Sequence, residues 1–133
     1  MTENTTHPII FAGAGPGDPE LMTIKAMKAI EKADLVVYAG SLVPKAVLCW
    51  KGDHTKTVSS AGLTLEEIVK TMVSSVKAGK RVVRLHTGDP SLYGAIFEQI
   101  RELQAQKIPY LVIPGVTAAF AAAAAMGMEY TLP

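Results

Sequence analysis

Cysteine is nearly absent from this sequence. Its 133 residues include only Cys49, which excludes an internal disulfide. That cysteine and three scattered histidines also fall short of the common zinc arrays. Charge is scarce, at 19% against a usual ~25%. Thirteen Lys and Arg against twelve Asp and Glu leave +1 at pH 7. Coating nucleic acid requires a clustered basic surface, which this balance does not offer. No Gly-Lys-Ser/Thr nucleotide loop occurs. No apolar signal segment opens the chain, because Met1 to His7 is polar. The apolar stretch Val116 to Met128 is too short to span a bilayer, which takes about 20 residues. These absences lead us to expect a soluble, reduced, cytoplasmic domain with neither a membrane nor a nucleic-acid partner.

What is present is apolar. Hydrophobic residues make up 49% of the chain, and one domain over residues 1–133 can bury roughly two-thirds of its unfolded surface. Pro8 to Gly13, Leu35 to Tyr38, Thr57 to Ser59, Arg81 to Leu85 and Tyr110 to Ile113 read as short strands. Helical spacing runs through Leu21, Ile24, Met27 and Ile30, and again from Leu65 through Val76 behind a Thr64–Glu67 capping box. A third helix is expected from about Leu92 to Gln106, and a fourth after Thr117, stopped by Gly127. Residues 41–56 are irregular. Apolar strands alternating with amphipathic helices imply an α/β fold: a five-stranded, mainly parallel sheet with helices on both faces.

In such sheets ligands bind beyond the carboxyl ends of the strands. Three glycine-bearing loops fall there: Gly13 to Asp18, Thr87 to Pro90 and Pro114 to Thr117. The first invites a dinucleotide reading and fails it. Asp18 stands where the fingerprint needs glycine, and a carboxylate there would repel a pyrophosphate. The second strand ends in Tyr38, Ala39 and Gly40, without the ribose-binding acid.

Several residues carry two readings. Asp89 can accept hydrogen bonds from a ligand, or cap the next helix with Pro90 at its first position. Thr117 is a helix cap or a hydroxyl offered to a ligand. His86 reads as a packed strand-end residue over a catalytic base, and Cys49 beside Trp50 as buried over a reactive thiol. Lys45, Lys51 and Lys56 form a solvated face or attract an acidic substrate.

Four segments in order carry a family resemblance. Phe11-Ala12-Gly13-Ala14-Gly15-Pro16-Gly17-Asp18-Pro19-Glu20-Leu21-Met22-Thr23 resembles the opening motif of the tetrapyrrole (corrin and porphyrin) methyltransferases. Ala33 to Tyr38, Arg84 to Gly94 and Val112 to Ala118 resemble their second, third and fourth motifs, so the likeness covers residues 8–127. Tyr38-Ala39-Gly40-Ser41-Leu42-Val43-Pro44 is similar to the branch that methylates carbon 11 of precorrin-4 or its cobalt form in cobalamin synthesis.

The resemblance implies S-adenosyl-L-methionine as methyl donor, held in a cleft between two α/β domains. This chain would be the N-terminal one, with the C-terminal domain beyond it. It implies Pro16, Thr87, Gly88, Asp89, Leu92, Thr117 and Ala118 on the cofactor. It places Gly15, Gly17, Asp18, Ser41 and Lys45 on the substrate side. A tetrapyrrole acceptor and a homodimer follow. A sulfonium methyl needs no covalent nucleophile, so the protein's part is alignment and water exclusion. No general base is assigned. The 133 residues alone would then be weakly active or inactive. The alternatives are an isolated non-catalytic folding or dimerisation domain, and a methylase of another ring position.

Overall fold

The structure, a computed structural model, describes residues 6–133, so Met1 to Thr5 of the polar opening lie outside the described residues. Strands β1 (Ile9–Gly13), β2 (Leu35–Tyr38), β3 (Lys56–Ser59), β4 (Val82–His86) and β5 (Tyr110–Ile113) form one sheet in the order β3-β2-β4-β1-β5. All four pairings are parallel. The helices are α1 (Ile24–Lys32), α2 (Leu65–Lys77), α3 (Ile96–Ala105) and α4 (Ala118–Met126), with short 3₁₀ segments at Pro19–Leu21 and Lys45–Trp50.

The central strands are apolar on successive residues because both their faces are covered. Phe11, Val37 and Val82 pack with Met72 and Val76 of α2 and Leu103 of α3. Ala12, Val36, Val83 and Leu85 pack on the opposite face with Ile30 of α1 and with Val47 and Leu48. The capping box of α2 forms as expected. Thr64 Oγ1 accepts from the Glu67 amide at 3.2 Å, and Glu67 Oε2 accepts from the Thr64 amide at 2.7 Å.

Three expectations need correction. The periodic run from Leu21 is a 3₁₀ turn followed by α1, capped by Thr23, so Leu21 and Ile24 are exposed and Ala26 takes the buried place beside Ile30. The third helix starts at Ile96, not Leu92. Pro90 and Gly94 interrupt the earlier stretch, where Tyr93 and Ala95 take left-handed backbone angles. Cys49 is exposed, because the 3₁₀ segment turns Val47 and Leu48 inward instead.

Coverage of the sheet is uneven at the β5 edge. α4 is almost entirely alanine and apolar on all sides, yet only Ala123 is buried, and Phe120 is 64% exposed. A helix apolar all round normally lies inside a protein. Leu111 and Val112 of β5 are exposed with it. Among the described residues no helix is long and apolar enough to cross a membrane.

Candidate functional site

β4 and β1 lie side by side, and the chain leaves them toward opposite faces. α1 follows β1 onto one core and α3 follows β4 onto the other. A crevice at such a switch point is where an open α/β sheet usually takes its ligand. Three of the recognised motifs meet there.

The contact between them is made by backbone. A methyl group added at Gly13 would strike the carbonyl oxygen of Gly88 and come 2.8 Å from Cα of Gly115. One added at Gly115 would strike the same oxygen and come 2.9 Å from Cα of Gly13. Glycine is therefore required at both positions by loop packing alone. Gly15 and Gly88 form an antiparallel bridge, with hydrogen bonds of 3.2 and 2.8 Å.

Asp89 fastens the third loop to the fourth. Its Oδ2 accepts from the backbone amide of Gly115 and its Oδ1 from that of Ser91, both at 2.8 Å. The expected helix-capping role fails, because residues 90–93 form a turn and α3 begins only at Ile96. Thr117 does cap α4: its Oγ1 accepts from the Phe120 amide at 3.3 Å. Its hydroxyl proton remains available to donate. Gly88 is buried, and Pro16 and Thr87 are half-buried. Leu92 and Ala118 are exposed. These residues belong to three loops that share one rim.

The residues expected on the substrate side split between two touching loops. Gly15, Gly17 and Asp18 follow β1; Ser41 and Lys45 follow β2. A methyl on Gly17 would lie 3.3 Å from Cγ of Pro44, and Trp50 Nε1 donates to the Pro19 carbonyl at 3.3 Å. Asp18 caps the 3₁₀ turn, with Oδ1 accepting from the Glu20 amide at 2.9 Å. Lys56 opens β3 opposite Leu35, at the amino edge of the sheet, and so stands away from the rim. Lys51 packs near Met27 and Glu31 beside α1, leaving Lys45 as the lysine of that group next to the rim loops.

His86 is buried at 4% exposure, stacked on Phe11 at 6.0 Å, with Nε2 unpartnered. Burial, reinforced by the Arg84 charge, lowers its pKa to about 3. A buried ring with so little affinity for a proton is a poor general base at neutral pH. Arg84 and Gln99 are the polar residues that pattern reading passed over. Both are buried, and Arg84 Nε donates to Gln99 Oε1 at 3.3 Å. The available signals were an arginine inside an apolar strand and a glutamine on the inward stripe of a helix.

Fold and rim together define an α/β protein with a parallel sheet and three interlocked loops at its carboxyl edge. The chain belongs to the Tetrapyrrole (Corrin/Porphyrin) Methylases, whose family model matches residues 8–133. It is 55% identical over 125 residues to a cobalt-precorrin-4 C(11)-methyltransferase of Methanocaldococcus jannaschii, covering 94% of this chain and 48% of that protein. A solved structure of a cobalamin biosynthetic enzyme, cobalt precorrin-4 methyltransferase, superposes with a TM-score of 0.93 at 43% identity, covering 100% of this chain and 56% of the other. A uroporphyrin-III C-methyltransferase from Thermus thermophilus, complexed with S-adenosylhomocysteine, matches with a TM-score of 0.74 at 34% identity, covering 87% of this chain and 48% of that one. The chain spans about half the length of the curated methyltransferases it matches.

Proposed function

We propose that this chain is the N-terminal half of an S-adenosyl-L-methionine-dependent methyltransferase acting on carbon 11 of precorrin-4 or cobalt-precorrin-4 in cobalamin biosynthesis. The observation that carries the reading is the convergence of three loops at one switch point, fastened by the Asp89–Gly115 hydrogen bond. The acceptor is argued from likeness: relatives named for that C(11) methylation stand at 42–55% identity.

The rim's chemistry suits the donor. Leu92, Val116 and Phe120 offer exposed apolar surface for a purine and for the carbons around the sulfonium, and the half-buried Thr87 and Thr117 offer hydroxyls for its polar groups. The donor supplies an already activated methyl. Pro16, Thr87, Gly88, Leu92, Thr117 and Ala118 line its place, and Asp89 acts on it through the loops that it ties. Lys45 beside Ser41 would meet a substrate carboxylate. The chain's work is then alignment and exclusion of water.

In this reading the second half of the protein forms the other wall of the cleft and covers the apolar β5–α4 edge. The protein works in the cytoplasm as a homodimer. The test is binding of S-adenosylhomocysteine to the protein expressed at the full length of its reading frame. Saturable binding, weakened by Asp89→Ala, is expected. Its absence would remove the rim as a donor site.

A further inference from the structure

β4 places a charged side chain within a mainly apolar core. Arg84 is 5% exposed and makes no ion pair with a carboxylate among the described residues. A buried charge persists only where its donors are used. Arg84 Nη1 donates to the Val37 carbonyl at 3.3 Å, at the end of β2, and Nε donates to Gln99 Oε1 at 3.3 Å. Gln99, 3% exposed on α3, in turn donates from Nε2 to the carbonyl of Ala95 at 3.2 Å. A guanidinium can only donate, so it draws the amide oxygen and leaves the amide NH₂ facing Ala95.

The loop at the end of this chain of contacts has an unusual shape. Ala95 precedes α3 with φ +49° and no side-chain cap, and Tyr93 has φ +56°. A methyl at Gly94 would strike the Pro90 carbonyl. Left-handed angles at two non-glycine residues so close together persist only where neighbouring structure imposes them. The same loop carries Leu92 and the 99% exposed Tyr93, directly after Asp89.

We infer that Arg84 and Gln99 form a buried positioning relay that holds loop 91–95 in the shape that presents Leu92 and Tyr93 at the rim. Its consequence for ligand binding rests on the donor-site reading above; its effect on loop shape does not. Neither residue touches the ligand. Both act through the Ala95 carbonyl.

Gln99→Glu separates the two halves of the relay. A glutamate pairs with Arg84, so the first contact and the core survive, but it has no N–H to give to Ala95. In the full-length protein we expect a melting temperature close to the parent's, faster amide exchange across residues 92–97, and S-adenosylhomocysteine affinity lower by about tenfold, the scale of one lost hydrogen bond. Unchanged exchange in that loop would overturn the relay. Faster exchange with unchanged affinity would overturn its role in binding. If the parent protein binds no S-adenosylhomocysteine, the donor-site reading fails, and loop exchange alone decides the relay. Should Gln99→Glu not fold, Gln99→Met removes both contacts at similar volume and is read by the same exchange measurement.

Discussion

Asp89 Oδ2 accepts a hydrogen bond from the backbone amide of Gly115 at 2.8 Å, joining loops that lie 26 residues apart in sequence. Its other oxygen holds the Ser91 amide. The carboxylate therefore shapes the rim before any ligand arrives. Replacing it with alanine leaves both amides without this acceptor, at roughly 1.5–3 kcal/mol for a charged partner. Asp89→Ala is expected to lower S-adenosylhomocysteine affinity by at least tenfold and to reduce stability. Asp89→Asn keeps one acceptor and should fall between the two. Calorimetric titration with a parallel melting curve checks this; full affinity in Asp89→Ala would show the tie is not needed.

Gly13 and Gly115 meet at the Gly88 carbonyl with no space for a side chain. Gly13→Ala is expected to cost about 1–3 kcal/mol or more as an overpacked site, because the atoms in the way are backbone. A urea unfolding midpoint reads it. A midpoint equal to the parent's would mean that the three loops can separate freely.

His86 titrates at about 3 in the folded protein, against an ordinary value of 6.5. Below pH 6.5 the unfolded chain takes up a proton that the folded state refuses. Stability must therefore fall as pH drops from about 6.5 toward 3, at up to about 1.4 kcal/mol per pH unit. His86→Phe keeps a ring on Phe11 and removes the proton. Unfolding midpoints at pH 7 and pH 5 should differ less in the variant than in the parent. An equal drop in both would assign the acid sensitivity to other groups.

Lys45 stands by the rim loops, whereas Lys56 opens β3 at the opposite edge. Charge reversal at Lys45 should weaken binding of the polycarboxylate acceptor and flatten its salt dependence. Reversal at Lys56 should do neither. The comparison is made by substrate titration at two ionic strengths, and equal effects would mean a general field and no local contact.

Much of this structure is written in local patterns. The Thr64–Glu67 box and the stripe from Ile68 to Val76 define α2, and continuous apolar runs mark the doubly covered strands. What pattern reading cannot see is contact between distant loops. Gly13, Gly88 and Gly115 read locally as turn glycines in three separate loops, and nothing in their spacing shows that their backbones lie against one another. Asp89 before Pro90 has the local form of a helix start, but Gly94 and the left-handed Tyr93 and Ala95 delay α3 to Ile96. The Arg84–Gln99 pair was hidden for the same reason, since its partners lie 15 residues apart on a strand and a helix.

The central claim is methyl transfer to carbon 11 of a precorrin-4 macrocycle. The most direct test incubates the full-length protein with S-adenosylmethionine carrying a ¹³C methyl group and either precorrin-4 or cobalt-precorrin-4. The labelled carbon is then located by NMR. The account predicts one new methyl at carbon 11, formed more slowly by Asp89→Ala at the same donor concentration. Label at another ring position, or none with both acceptors, would contradict it.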